Sequence, residues 1–242
     1  MNSNNNLDNN KIDFLTSAAK SIVGAVPLAG SFLSELVGNI IPNQRIDRLT
    51  KYLKELDARF SKIPVERINF LLGNDDFVDL IEEGFVQASR ATSEERRQYI
   101  SSIVANGITD ESISLLESKY LLKIIEELND VEIIWLRSYF DPIHKRDKEF
   151  RDKHKNILTL ISPDLSSDKE TFRKSAFQNS YKEHLERLDL ISHKIRVDHN
   201  TGLPEFDKYS GKTKTSYTEV TILGRLLLKQ IGLINEKEES NY

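Results

Sequence analysis

The feature that most constrains the fold is a helical repeat of apolar side chains between Gln44 and Ile63. Apolar residues recur there at alternating intervals of three and four positions: Ile46, Leu49, Leu53, Leu56, Phe60 and Ile63. This spacing places them on one face of an α-helix and leaves charged residues on the other faces. The stretch is therefore predicted to be an amphipathic helix of a bundle, and the fold class is predicted to be mainly α.

Capping signatures predict further helices in the first half of the chain. Thr92 and Glu95 match a capping box, in which a hydroxyl and a carboxylate bind the free backbone amides at a helix start. That helix is expected to begin near Ser93 and to end at Asn106 and Gly107, because glycine is common just after a helix. The next helix is predicted to run from about residue 110 to residue 128. Its inward residues are predicted to be Ile113, Leu116, Tyr120, Ile124 and Leu128.

The C-terminal part has a mixed pattern. Two more capping signatures, Asn129 with Glu132 and Ser167 with Glu170, predict two further helices. Alternating apolar residues at 190–197, turn residues at 199–202 and a second apolar stretch at 216–220 then predict a β-hairpin, and a last helix follows at 222–231. The predicted architecture is thus a helical bundle followed by a small winged-helix-like C-terminal domain with a β-hairpin.

Composition sets the expected domain boundaries. Residues 1–11 form an Asn-rich tail with too few apolar side chains to fold, so a disordered tail is expected there, and a second one at 236–242. The N-terminal helical module is predicted at 12–109. The winged-helix-like domain is predicted at 110–235, with a charged insertion at 141–166.

Several functional classes lack support in the sequence. The chain has no cysteine, which excludes disulfides, thiolate metal sites and cysteine nucleophiles. Its five histidines lack metal-ligand spacing and are expected to be solvated, and no phosphate-binding glycine loop or nucleophile elbow occurs. No metal, cofactor or small-molecule substrate is therefore expected, and the chain is predicted not to be an enzyme.

One acidic cluster is chemically suited to a divalent cation. It consists of Asp75, Asp76, Asp79, Glu82 and Glu83. Acidic residues are also favoured in the first turn of a helix, where they face the positive end of its dipole. With Asn74 or Asp75 as a possible cap, a solvated acidic helix start is the preferred interpretation.

The start of the chain does not look like a targeting segment. It has acidic residues where a secretory signal would have basic ones. The uncharged run at 21–34 is shorter than the about 20 residues that a spanning helix needs, and it contains Pro27. A cytoplasmic location is expected.

Basic residues around the predicted hairpin are chemically suited to binding nucleic-acid phosphates. The candidates are Arg173, Lys174, Lys182, Lys212 and Lys214. In a winged helix, the third helix can enter a major groove while the hairpin reaches phosphates. However, Glu183, Glu186 and Asp189 are predicted on that same helix and would repel a phosphate backbone, and the net charge is −4. The preferred interpretation is that this domain packs or dimerises.

The N-terminal helices offer a second candidate surface. Its apolar residues are Ile22, Val23, Val26, Leu28, Phe32 and Leu33. Amphipathic helices of this kind can contact a partner or lie in a membrane surface. Membrane-surface helices usually carry many basic residues, and here only Lys11 and Lys20 qualify. Packing against the helix at 44–63 is therefore preferred over contact with lipid.

Several stretches together resemble a known family. They are residues 94–107 (EERRQYISSIVANG), 120–140, 185–191 and 217–227. The pattern includes an Ala-Asn-Gly helix ending at Gly107 and a Thr-x-x-Gly-Arg helix start at Thr221. It resembles the Abi-alpha family of bacterial proteins associated with abortive infection, over about the last three fifths of the chain. The proline that often precedes the glycine in that helix start is absent here. The resemblance implies a role in phage defence and transfers no catalytic residue.

Three functional hypotheses follow. The leading one is a non-enzymatic phage-defence protein that acts through a protein partner or through self-association. The alternatives are a winged-helix DNA-binding transcriptional regulator and a membrane-permeabilising effector that uses the N-terminal helices.

Overall fold

A computed structural model describes residues 43–71, 73–110, 112–140, 147–206, 211 and 213–235. The described chain is mainly helical with one small antiparallel sheet, as the sequence predicts. The predictions for the tails and for the helices at 12–41 lie outside these residues. The contacts divide the chain into two units. The first contains the described residues up to Glu127 with Gln230–Gly232, and the second contains Leu128–Lys229 and the described residues from Leu233.

The described part of the first unit contains five helices, namely α1 (Asn43–Phe60), α2 (Val65–Leu71), α3 (Asp75–Arg90), α4 (Glu94–Thr109) and α5 (Leu115–Glu127). Helix α1 packs on α3 and α4, and α5 packs on the same two helices. The apolar repeat of α1 is buried as predicted at Leu49, Leu53, Leu56, Phe60 and Ile63. The amphipathic helix of a bundle is thus confirmed.

The helix starts in this unit follow local side-chain chemistry. Asn74 caps α3, because its Oδ1 accepts from the backbone amide of Asp76 at 2.9 Å. Helix α4 is capped by Ser93, whose Oγ accepts from the amide of Arg96 at 3.1 Å. The prediction that Thr92 caps this helix was therefore wrong by one residue. Thr92 and Ser93 are adjacent and both carry a hydroxyl that could act as the cap.

Gly107 has a different role from the one predicted. Helix α4 continues past it to Thr109, and Asp110 is the C-cap. A Cβ atom at Gly107 would lie 2.6 Å from Ser118 Oγ and 2.9 Å from Ser118 Cβ. The glycine therefore lets α4 and α5 approach closely, because any side chain there would collide with Ser118.

The inward face of α5 also differs from the prediction. Leu116 and Tyr120 were expected to face the core, but they are 66% and 55% exposed. The buried side chains of this helix are instead Ser118, Leu121, Leu122, Ile124 and Ile125. Two helices cover α5, so it buries adjacent pairs of residues rather than a single stripe.

The second unit begins with α6 (Asp130–Phe140) and continues with α7 (Lys148–Lys153), α8 (Lys155–Leu158), α9 (Lys169–Arg187), β1 (Ile191–Ile195), β2 (Thr215–Val220) and α10 (Ile222–Gln230). The predicted hairpin and closing helix are confirmed in outline. The sequence places the domain boundary at 109/110, whereas the contacts divide the chain at 127/128. The difference arises because α5 packs on α3 and α4 of the first unit.

The helix starts of the second unit partly follow the predicted capping boxes. Asn129 and Glu132 form the predicted box, since each backbone amide donates to the other residue's side chain at 2.8 and 2.9 Å. Helix α9 is capped by Asp168, which accepts from the amide of Thr171 at 2.7 Å. The prediction of Ser167 as the cap was again wrong by one residue.

The charged insertion forms short exposed helices. Neither α7 nor α8 contains a buried residue. The insertion is held to α6 by Arg137, whose Nη1 lies 2.7 Å from Asp147 Oδ2. The same guanidinium stacks over the rings of Phe140 and Phe150, with its Cζ 5.4 and 5.5 Å from the two ring centroids. The predicted linker or exposed helix is thus confirmed for the described part of this segment.

Candidate functional site

The base of the hairpin is anchored in the second unit by apolar residues. Strands β1 and β2 pair antiparallel, with Ile191 opposite Val220, and both side chains are buried. Two pairs further along, His193 lies opposite Thr218, with His193 Nδ1 2.9 Å from Thr218 Oγ1. Burial decreases along both strands toward the end that contains Ile195 of β1 and Thr215 of β2. The far end of the hairpin is therefore the solvent-exposed end.

The turn from α9 into β1 has a well-defined helix-ending geometry. Asp189 adopts a left-handed conformation with φ of 56°. Its amide donates to Glu186 O at 2.9 Å, and the amide of Leu190 donates to Leu185 O at 3.0 Å. These two bonds define a Schellman motif, which is accompanied by the burial of Leu185 and Leu190. Asp189 was predicted on the helix itself, and the structure places it just beyond α9.

The turn from β2 into α10 is hydrogen-bonded to the α9–β1 turn, and we call this pair of turns the corner. Thr221 Oγ1 donates to Asp189 O at 2.6 Å and accepts from the amide of Gly224 at 3.0 Å. A Cβ atom at Gly224 would lie 2.2 Å from Leu190 O, so only glycine fits at this point. The Thr-x-x-Gly part of the family pattern therefore builds the corner that supports the hairpin.

The far end of the hairpin is closed by three chain segments that bond to one another. The amide of Arg196 donates to Lys214 O at 2.8 Å, that of Lys214 to Glu205 O at 2.8 Å, and that of Glu205 to Arg196 O at 2.9 Å. Isolated bridges join Val197 to Pro204 and Phe206 to Thr213. The sequence pattern predicts two strands here and does not indicate the contribution of residues 203–206.

The described cations of this end form ion pairs with carboxylates. Glu205 Oε1 lies 3.2 Å from Arg196 Nε, and Glu205 Oε2 lies 3.4 Å from Lys214 Nζ. Nearer the base, Lys194 Nζ lies 2.9 Å from Glu219 Oε1. Each of these three cations therefore has a carboxylate partner within the hairpin.

Large apolar side chains are exposed at the same end. We name them the hairpin-tip patch, and they are Ile195, Val197, Leu203, Phe206 and Tyr217. Phe206 is 57% exposed, although it bridges to Thr213 and the preceding residue, Glu205, bonds to both Arg196 and Lys214. Large exposed apolar side chains on an ordered scaffold are typical of binding surfaces. The alternation of apolar and polar residues in β1 was the available sequence signal, but it was used only to predict a strand.

Two histidines are more buried than the sequence predicts. His184 Nδ1 donates to Glu132 Oε1 at 2.7 Å, and Glu132 is itself buried. His193 Nε2 lies 3.4 Å from Glu186 Oε2. Burial lowers the pKa of His193, nearby Lys182 lowers it further, and Glu186 opposes both effects. The prediction that these two histidines are solvated was therefore wrong, because their partners lie far away in sequence or across the helix–strand turn.

The predicted nucleic-acid contacts are scattered over the second unit. Arg173 and Lys174 lie in α9, where Lys174 Nζ is 2.8 Å from Glu170 Oε1. Lys182 is half-buried near His193, and Lys214 lies at the hairpin tip beside Glu205. Lys212 lies outside the described residues. Phosphate binding by Lys174 or Lys214 would therefore have to displace an existing carboxylate partner.

The predicted partner or membrane contacts lie outside the described residues. They are Ile22, Val23, Val26, Leu28, Phe32 and Leu33. In the part of the chain that the structure describes, no helix is long and apolar enough to cross a membrane.

The acidic cluster of α3 is engaged in local contacts. Asp75 and Asp76 occupy the first turn, Asp79 forms an ion pair with Lys119, and Glu83 accepts from Gln87 Nε2 at 2.8 Å. Among the residues described above, no group of three or more histidine or carboxylate side chains lies close enough to hold a metal ion. The cluster thus acts as a solvated helix start with one ion pair to α5.

An open hollow of about 340 Å³ lies beside α7. Its lining residues are Asp147, Glu149, Phe150 and Lys153. Asp147 is already paired with Arg137, and the same guanidinium covers Phe150. These contacts fasten the insertion to α6 and indicate a structural role for the lining.

Comparison with family models, with curated proteins and with solved structures finds no match to this chain. The resemblance to the Abi-alpha family therefore stays a prediction from the sequence.

Proposed function

We propose that this chain is a non-enzymatic phage-defence protein that acts by binding another protein through the hairpin-tip patch. The observation that carries the proposal is the exposure of five large apolar side chains on a hydrogen-bonded hairpin end, where the described cations Lys194, Arg196 and Lys214 already have carboxylate partners. A surface of this kind is suited to an apolar protein surface.

The energetics favour burial of the patch. Apolar surface gains roughly 25 cal/mol for each Å² removed from water. Backbone hydrogen bonds among Arg196, Glu205 and Lys214 already order the hairpin end. Binding a partner there therefore costs less conformational entropy than ordering a flexible loop would. Aromatic residues such as Phe206 and Tyr217 are the residue types enriched at protein interfaces.

The charges favour a protein over a nucleic acid. Binding to a phosphate backbone gains most of its free energy from basic residues that release counterions. At the hairpin tip, Arg196 and Lys214 share Glu205, so one of their two charges is offset and both side chains are engaged in ion pairs. A partner with an apolar surface does not require these ion pairs to break.

We further propose a winged-helix-like organisation for the second unit. The order α6, α9, hairpin and α10 supports it, with the hairpin as the wing. In this proposal the wing recognises protein through its apolar tip, while α9 supports the base of the wing through the Schellman corner at Asp189.

The phage-defence part of the proposal is supported by the sequence resemblance. Three residues that carry the resemblance are explained by packing: Gly107 fits against Ser118, while Thr221 and Gly224 form the corner at Leu190. The shared pattern thus fits a common scaffold, and the activity would lie in the surface that the scaffold presents.

Plaque formation on cells that express the protein tests the proposal. The test variant is Phe206→Ser, and the matched control is Phe70→Ser, which makes the same change at an 83% exposed position of α2. We expect Phe206→Ser to lose protection against phage, and Phe70→Ser to keep it. Equal protection by both variants and the wild type would contradict the proposal.

The test needs evidence that both variants are folded. Because both side chains are largely exposed, each change should alter the free energy of unfolding by no more than about 0.5 kcal/mol. Far-UV circular dichroism and the fluorescence of Trp135, the single tryptophan, provide this control. A loss of protection that accompanies unfolding would not count in favour of the proposal.

A further inference from the structure

The register of the hairpin assigns its exposed side chains to two faces. Side chains alternate between the faces of a strand, and residues directly opposite one another in a ladder lie on the same face. Ile191 and Val220 are opposite each other and both are buried. The face that they share is therefore the one that packs on the core of the second unit. We name it the core face of the hairpin and name the other the outer face.

The core face continues past the base of the hairpin to its exposed tip. Alternation along β1 from Ile191 places Ile195 on this face, and Val197 follows two residues later. Val197 is bridged to Pro204, and alternation from Pro204 places Phe206 on the same face. Three exposed members of the hairpin-tip patch, Ile195, Val197 and Phe206, thus share the core face.

A β-bulge keeps the lysine at the start of β2 off this face. Ile195 is opposite Thr215, although the pair before it in the ladder would place it opposite Ser216. Ser216 is therefore the extra residue of a bulge. A slip of one residue moves every later side chain to the other face, so a ladder without the bulge would put Lys214 on the core face. With the bulge, Lys214 lies on the outer face, where its Nζ is 3.4 Å from Glu205 Oε2.

The outer face has the charged side chains of the tip. They are Lys194, Arg196, Glu205, Lys214 and Glu219, which form the ion pairs given above. Tyr217 is opposite Lys194 and so belongs to this face as well. Within residues 195–198, 203–206 and 213–215, no charged side chain lies on the core face. The tip therefore has one apolar face and one charged face.

We propose that the protein partner of the hairpin-tip patch contacts the core face alone, and that the contacting surface of the partner is apolar and uncharged. The inference rests on the proposed function and narrows the contact to Ile195, Val197 and Phe206. This face is patterned like the buried side of a sheet, yet its tip half lacks the cover that its base half has. A charged partner surface would lose its hydration here without gaining a counter-charge, so an uncharged surface is favoured.

The outer face has a different task. Glu205 bonds through its backbone to Arg196 and Lys214, and its carboxylate pairs with the side chains of the same two residues. Burying these ion pairs under a partner would remove several charges from water, which costs free energy. The outer face thus holds the three segments of the tip together and leaves the core face for the partner.

Protection against phage tests the face assignment with a matched pair of variants. Val197→Ser removes an apolar side chain from the core face, and Tyr217→Ser removes one from the outer face, at exposures of 43% and 55%. We expect Val197→Ser to lose at least about tenfold in protection against plaque formation, because truncating an anchor at the centre of a contact costs at least that much in affinity. Tyr217→Ser should stay within about threefold of the wild type.

Thr215 tests the chemistry of the partner surface. It is exposed on the core face, opposite Ile195. Thr215→Val keeps the shape of the side chain and adds apolar surface, so protection should be kept. Thr215→Lys places a charge against an uncharged surface and should lose at least about tenfold in protection. Stronger protection by Thr215→Lys would indicate an acidic partner surface and would overturn the proposal.

The outcomes separate this inference from the proposed function. Equal loss by Val197→Ser and Tyr217→Ser would overturn the face assignment and leave the hairpin-tip patch as the binding surface. Full protection by Val197→Ser would also overturn it, whereas a wild type without protection would remove the proposed function and this inference together. Circular dichroism should show the same helix content in all variants. If Val197→Ser does not fold, Ile195→Ser makes the same test on the same face.

Discussion

Replacing Gly224 by alanine is the sharpest test of the corner that supports the hairpin. The added Cβ would lie 2.2 Å from Leu190 O and 2.7 Å from Val220 Cγ1. A carbon and a carbonyl oxygen normally approach no closer than about 3.3 Å, so α10 would have to move by roughly 1 Å. That movement would strain the bonds of Thr221 to Asp189 O and to the amide of residue 224.

The expected cost follows from three contributions. Overpacking in a well-packed site costs about 1–3 kcal/mol. The two weakened hydrogen bonds of Thr221 cost about 1 kcal/mol each. Alanine is a better helix former than glycine by about 1 kcal/mol, which offsets part of this cost. Gly224→Ala should therefore lower the free energy of unfolding of the second unit by about 2–4 kcal/mol.

Urea unfolding followed by tryptophan fluorescence measures this effect. Trp135 is the only tryptophan, and it lies in α6 of the second unit. The matched control is Gly73→Ala, because a Cβ at Gly73 has no neighbour within 4 Å. We expect the Trp135 transition to shift to lower urea for Gly224→Ala and to stay in place for Gly73→Ala. A shift smaller than about 0.5 kcal/mol for Gly224→Ala would refute the close-packing argument.

Three further predictions concern caps, burial and pH. Asn129→Ala removes the cap of α6 and should cost the second unit about 1 kcal/mol, measured by the same fluorescence transition. Leu121→Ala should destabilise the first unit by about 2–5 kcal/mol, whereas Leu116→Ala should change it by under about 0.5 kcal/mol, as measured by circular dichroism in urea. Because the folded pKa of His193 is lowered, the unfolded chain binds its proton more readily. The contribution of His193 to stability is therefore present above about pH 6.5 and lost as the pH falls through the folded pKa, and His193→Asn should reduce this pH dependence of the Trp135 transition.

The parts of the fold that were predictable are those that depend on one-sided burial. Helix α1 contacts the core along a single stripe, so the spacing of Leu49, Leu53 and Leu56 was sufficient to identify it. Helix α5 is covered by two neighbours, and the same rule selected Leu116 and Tyr120, which are exposed. Equal spacing alone does not show how many neighbours a helix has.

Local capping was predictable to within one residue. The helices after Thr92 and Ser167 do begin there, but Ser93 and Asp168 are the residues that cap them. Adjacent residues with similar oxygen acceptors compete for the same amides, and tertiary packing decides between them. The reciprocal box of Asn129 and Glu132 formed as predicted, although Asp130 beside Asn129 also carries a suitable oxygen acceptor.

The candidate surface was not predictable because it depends on contacts distant in sequence. The hairpin tip forms when residues 203–206 join the two strands, and this pairing leaves no periodic signal in the sequence. The neutralisation of Lys214 by Glu205 similarly requires knowledge of the tip geometry. On sequence alone Lys214 was a phosphate-binding candidate, because its ion-pair partner Glu205 lies nine residues away and is brought to it only by the tip geometry.

Site-specific photo-crosslinking during infection tests the central claim most directly. A photoreactive phenylalanine analogue would replace Phe206 at the hairpin tip or, as the control, Phe70 on α2. We expect a discrete protein adduct from position 206 that is absent from position 70 and is weakened by Val197→Ser. No protein adduct from position 206, or an adduct only to nucleic acid or lipid, would contradict it.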